Sequence, residues 1–532
     1  MIAARRCEGV GRVEEIAHWA AELEPGDLPE DVTELCRAQR RSVLAAVAAS
    51  VRDSATRRVL DAVDAWGGEG PAPLLLGHRT ASVEDALFAA CACSISLDFD
   101  DYCCFGHTGH SAVLVPLLLS AETQSSVLEQ IVAQVIANEV GARLGGACLL
   151  GPLNGQLWSF LHAASAALAA GRLLGLEGER LGHALAIALT DSPRPTVPGF
   201  MAPDSKLLTA ADPSVAGLRA ARLAAAGVTG PLDVLDHPQG FLDAFSFAPL
   251  PGMLDGLGEA WATRTLTIKP YPGCAYLDTT VDALLEIGPF TGIDEIERVT
   301  VVAGLLTCGM DAMSSRYASI DPTPVTVNFS VPWNVAIVAL AGRLTAEEVS
   351  SDWLTSHRDE LAELASRVRL RHDWSCTSAT ARAFGPVVPA RAVVADVGIR
   401  RLITALGRLR SQHRPIVFTR ADVLTLLRQR GDGLGRAMAG ARFLSSEAIG
   451  GFQMTFPARV EVQLRDGSVR RAAASQPRGG AGNPICGPAD VAREKFAGCA
   501  PLLWGAQGTR AIDRAISDDD PRLLTLLSHA RI

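Results

Sequence analysis

Residues 160–174, FLHAASAALAAGRLL, narrow the possible folds of this chain more than any other stretch. Small residues fall on several faces of a helix at once, so neighbours can approach it from most sides. A helix of that kind belongs inside a helical domain, not on its surface. The same texture runs through the first half of the chain. It predicts helices at 12–23, 32–51, 82–96, 125–144, 177–189, 213–226 and 231–235, with Leu28-Pro29-Glu30-Asp31 as a start signal and Gly227 and Gly230 as breakers. Residues 1–265 therefore read as helix throughout.

Near Thr263 the texture changes. A β-branched strand at 265–268 precedes a helix at 280–287, a strand at 297–302, helices at 330–340 and 346–354, and a strand at 367–371. A hairpin at 459–464 and 469–472 turns at Asp466-Gly467, and 485–532 returns to helix. The expected fold is mainly α. It has a large all-helical domain over 1–265, completed by 485–532, and a smaller inserted α+β lid domain over 266–484. Within the lid, 377–450 is rich in Arg, Gly and Pro and reads as an irregular insertion outside the core, with one helix at 420–429.

Composition excludes some functions. The chain is 48% hydrophobic and 20% charged with net charge −9, which suits a globular protein and argues against nucleic acid or an anionic membrane as partner. No apolar run reaches the ~18 residues of a membrane span, and the start, MIAARRCEGVGRVEE, has no apolar signal core, so the cytoplasm is expected. Twelve scattered cysteines form no CxxC, which predicts neither a disulfide framework nor a zinc or iron–sulfur site.

The basic residues are uneven: three lysines, Lys206, Lys269 and Lys495, against forty-six arginines. Lysine is a compact charge whose pKa moves on burial, so a lysine kept in such a chain is a candidate for work that arginine cannot do. The acidic segment Leu97-Asp98-Phe99-Asp100-Asp101 precedes His107-Thr108-Gly109-His110. On its own, the acidic run also suits helix-end capping. An imidazole near neutral pH is a natural proton acceptor; Cys103 and Cys104 lie close to the two histidines, but no second cluster completes a tetrahedral set, so a metal site is not expected.

Six segments in order resemble the MmgE/PrpD family. They are Leu97–Asp101 with His107-Thr108-Gly109, Val115-Pro116 and Ala121-Glu122; 167–176; Ser205-Lys206-Leu207 with Gly217-Leu218-Arg219 and Gly230-Pro231; Lys269-Pro270-Tyr271-Pro272-Gly273-Cys274; Asn328-Phe329-Ser330-Val331-Pro332; and Asp466-Gly467 with Gly482-Asn483-Pro484 and Lys495-Phe496. The resemblance implies a homodimer that works without metal or organic cofactor on a small carboxylate-bearing substrate. It implies a lyase or isomerase removing a proton beside a carboxylate or carbonyl, of dehydratase or decarboxylase type. An epimerase, a tailoring enzyme of secondary metabolism and a non-catalytic carboxylate-binding relative stay open. Carried over by position, His107 is the base, Asp98 orients a histidine or lysine, and Lys206 and Lys269 neutralise the substrate while depressing each other's pKa. Lys495 reads as structural. Tyr102 stands where the family often has threonine and joins the lysines as a candidate acid. Gln156 and Asp278 stand at two family histidine positions, and His162 reads as a buried structural histidine. Asn154, Gln156, His110 and Tyr276 are expected to bind substrate.

Overall fold

A computed structural model describes residues 10–318, 322–412 and 440–530; the expected helix at 420–429 lies outside them. The molecule is mainly helical. Its centre is the Phe160–Leu173 helix, buried from Phe160 to Gly171 and packed against the Val127–Ala147, Gly109–Thr123 and Leu208–Ala225 helices. Local chemistry sets the helix starts. Ser82 accepts from the Asp85 amide at 3.1 Å, and Ser126 and Glu129 form a reciprocal capping box. The C-terminal helices Pro488–Cys499 and Pro501–Ser517 pack on Glu30–Ala49, held in part by Arg41 on Asp513 at 2.6 Å.

Strands interrupt the helical half, contrary to expectation. A two-residue pair joins β1 (Ala72–Pro73) to β2 (Thr80–Ala81), and β3 (Asp101–Cys103) pairs antiparallel with β4 (Leu266–Ile268). The second pairing sets Tyr102 opposite Thr267 and leaves Lys269 one residue beyond the ladder. β5 (Ile296–Ala303), β6 (Val368–His372), β7 (Ala458–Leu464) and β8 (Val469–Ala474) form one sheet in the order β6-β5-β7-β8. Only β5 and β6 run parallel, and Val301 pairs with both Leu370 and Val460. The β7–β8 hairpin turns through Gly467, as its sequence predicts.

Other details differ from the sequence reading. Residues 231–235 form turns, and the helix expected from 346 begins at Ser351. The helix expected at 213 starts at Leu208 and carries Pro213 inside it. Residues 377–412 are not irregular: they belong to the helices Trp374–Phe384, Ala390–Val397 and Ile399–Gln412. Asp373 caps the first by accepting from the Ser375 amide at 2.7 Å.

Candidate active site

The acidic segment folds into the floor of a cavity of about 440 Å³. Asp98 adopts a left-handed backbone, φ 53°, which a short polar side chain tolerates. That bend separates its carboxylate from its neighbours'. Asp98 Oδ1 lies 3.3 Å from Lys206 Nζ and Oδ2 lies 3.1 Å from Lys269 Nζ. The loop carrying Lys269 is fastened here as well: the Gly273 amide donates to the Leu97 carbonyl at 3.1 Å, and the Cys274 amide donates to the Asn328 carbonyl at 2.8 Å. Gly273, at φ +111°, needs to be glycine, and a Cβ there would come within 3.1 Å of the Asn328 carbonyl oxygen.

Asp100 faces the other way. Its Oδ2 sits 2.7 Å from His107 Nδ1 and accepts from Gln156 Nε2 at 3.0 Å, while Oδ1 contacts Lys269 Nζ. Burial alone would raise the Asp100 pKa, but Lys269 and His107 outweigh it and hold the carboxyl well below the ordinary aspartate range. An ionised Asp100 accepts only, so Nδ1 of His107 is the donor in this bond, and Nε2 is the ring nitrogen left to exchange a proton. His107 and Gly155 both line the cavity, and a Cβ on Gly155 would lie 3.9 Å from that Nε2.

Asp101 is structural. Its Oδ1 accepts from Gln39 at 2.8 Å, and its Oδ2 would lie 2.1 Å from a Cβ at Gly109, so any larger residue there would displace the carboxylate. His110 is fully buried behind Asp100, bonded to Ser94 Oγ at 2.7 Å, with Nε2 3.2 Å from Asp100 Oδ2. It does not line the cavity, which places it in a supporting rather than a substrate-binding position. His162, bonded to Ser111 at 3.1 Å, is held neutral by burial and reads as core.

Tyr102 lines the cavity with a buried hydroxyl that has no protein partner, its ring centroid 5.5 Å from that of His107. Burial pushes its phenol pKa well up, so it stays protonated as a donor. Asn154, Gln156 and Tyr276 also line the cavity, and Gln156 Oε1 is buried without a partner.

The lysines depart from the expected roles. Lys206 is fully buried but does not line the cavity; it lies 5.4 Å from the centroid of the Phe329 ring and 5.8 Å from that of Phe200. The two ammonium groups do not depress each other symmetrically. Burial lowers the Lys206 pKa, whereas around Lys269 the Asp100 and Asp98 carboxylates outweigh burial and raise it. Lys269 therefore keeps its proton and serves as a fixed charge. Lys495 bonds Ser42 Oγ at 2.9 Å and the Phe99 carbonyl, away from the cavity. Among the described residues no cluster could hold a metal ion, and the eleven described cysteines are free; Cys7 lies outside them.

The MmgE/PrpD N-terminal domain matches residues 14–251, and the MmgE/PrpD C-terminal domain matches 271–398. The chain belongs to the MmgE/PrpD family. This MmgE/PrpD protein is 26% identical over 280 residues to "Cis-aconitate decarboxylase-like protein oryM" of Aspergillus oryzae, covering 48% of this chain and 57% of that one. It is 25% identical over 301 residues to "Cis-aconitate decarboxylase" of Aspergillus terreus, covering 52% and 59%. The chain thus spans less than two thirds of the length of these relatives. Among its described residues no helix is long and apolar enough to cross a membrane.

The sequence reading missed Asp100 as the partner of His107, and missed the wall contributed by Thr380, Ala381, Phe384 and Val388. For Asp100 no sequence signal separates it from Asp98. For the wall, Asp373 as a helix cap was the available sign.

Proposed function

We propose that this protein is a lyase of dehydratase or decarboxylase type that removes a proton beside a carbonyl or carboxylate. The observation that carries this reading is the Asp100–His107 pair, which engages Nδ1 and leaves Nε2, beside Gly155 at the cavity wall, as the ring nitrogen placed to take a proton. His107 takes the proton. Tyr102, with an unpartnered hydroxyl in the same cavity, donates to the oxygen on which negative charge develops or to the leaving group. Lys269 keeps Asp100 ionised and so keeps the imidazole in its basic tautomer. The names of the two Aspergillus relatives agree with this class of chemistry.

The test is solvent exchange. The protein is incubated with hydroxy acids and unsaturated acids in deuterated water, and loss of the α-proton is followed by NMR. Exchange that vanishes in His107→Ala supports the assignment. Exchange that survives it removes His107 as the base.

A further inference from the structure

An ammonium group has three protons to donate. Lys269 Nζ has three protein oxygens around it: the Asp98 carbonyl at 2.9 Å, Asp98 Oδ2 at 3.1 Å, and Asp100 Oδ1 in direct contact. Lys206 Nζ also has three: Asp98 Oδ1 at 3.3 Å, the Ile95 carbonyl at 3.4 Å, and the Asn328 amide oxygen at 2.8 Å when that amide turns its nitrogen to the Pro324 carbonyl. Two lysines face two carboxylates, and the group closes on itself. Apart from His107, Lys269 is the only basic residue among the described residues lining the cavity, and no arginine joins it although the chain holds forty-six.

Most of the rest of the wall is apolar. Phe105, Trp158, Phe200, Met310, Phe329 and Phe384 surround a space within the ~300–1,000 Å³ usual for small-molecule sites. The fully buried polar atoms there without a protein partner are the Tyr102 hydroxyl and Gln156 Oε1, an acceptor that asks for a donor on the ligand, while Asn154, Tyr276 and Thr380 add polar side chains to the wall. Each carboxylate brought into such a wall loses its water without gaining a cation.

Resting on the lyase reading above, we propose that the substrate has a long or ring-bearing apolar body and a single polar head, a hydroxy-carbonyl with at most one carboxylate, and is not a di- or tricarboxylate. The hydroxyl donates to Gln156 Oε1, the carbonyl oxygen accepts from Tyr102, and the body lies along the aromatic and methionine wall.

The full-length protein is titrated calorimetrically with 3-hydroxydecanoate and with citrate, and each mixture is followed for deuterium exchange. The expected result is 3-hydroxydecanoate binding at least about tenfold tighter than citrate. Met310→Arg, a change on a half-buried wall position outside the proton-transfer groups, should narrow or invert that ratio. Citrate binding as tightly as the fatty acid, or neither binding, overturns the proposal. Binding of the fatty acid without exchange supports the substrate class and counts against the lyase reading. Exchange with citrate alone does the reverse.

Discussion

Replacing Asp100 by asparagine tests the site at the point where its parts converge. The change keeps the shape and removes the charge. His107 Nδ1 then meets an amide that can donate as well as accept, so nothing fixes its tautomer, and molecules with the proton on Nε2 have no base in the cavity. A positioned base contributes roughly 10²–10⁴ in rate, and this is the expected loss of α-proton exchange. Stability also falls, because Lys269 loses one of its two carboxylate partners. Breaking a buried pair outright costs about 3–5 kcal/mol, and retention of Asp98 places the expected cost below that range.

The pH dependence carries its own sign. The folded-state pKa of Asp100 lies below its ordinary value of 3.8, so its stabilisation is fully present above that value. It is lost as pH falls through the lower folded value. The Asp100 contribution to the stability gap between wild type and Asp100→Asn should therefore shrink as the pH falls below about 4. Ring ¹⁵N shifts of His107 give a readout that needs no substrate: Nδ1–H in the wild type, a mixture or Nε2–H in the variant. Exchange within about threefold of wild type, with His107 still protonated on Nδ1, would refute the reasoning.

Tyr102→Phe should lower exchange by roughly 10–100-fold while leaving the melting temperature unchanged or raised, because the lost hydroxyl has no protein partner; a drop in melting temperature read by calorimetry would contradict this. Lys269→Met should cost about 3–5 kcal/mol in denaturant unfolding, since it leaves Asp98 and Asp100 as buried like charges. Burial pushes the Lys495 pKa down from 10.5 to about 8, so its charged form opposes folding and stability should rise between those values. The rise is about 3 kcal/mol, and Lys495→Met should abolish it in chemical denaturation across that range.

How much was legible follows from how local each signal is. The Phe160–Leu173 helix and the β7–β8 hairpin are written in their own residues, as composition in one case and Asp466-Gly467 in the other. β3 is not, because its three residues begin at the end of an acidic run and their partner strand begins only at Leu266. The same non-locality hid the site's wiring. Nothing in Asp98-Phe99-Asp100-Asp101 says which carboxylate meets the histidine. The left-handed backbone at Asp98 accompanies the division: Asp98 faces both lysines, and Asp100 spans Lys269 and His107. The 377–412 stretch hid its helices behind Arg, Gly and Pro, yet it supplies Phe384 to the cavity.

The three lysines end on one short piece of chain. Lys206 reaches Ile95 and Asp98, Lys269 reaches Asp98 and Asp100, and Lys495 reaches the Phe99 carbonyl. All three are buried. A tightly turned acidic segment inside a protein needs cations small enough to approach single oxygens from several sides, and a planar guanidinium does not fit that need. This accounts for lysine surviving at these positions while arginine serves elsewhere. The work is structural: Lys206 and Lys269 hold the aspartates and Lys495 a carbonyl of the same turn, and the groups left to the proposed chemistry are His107, Tyr102 and Gln156.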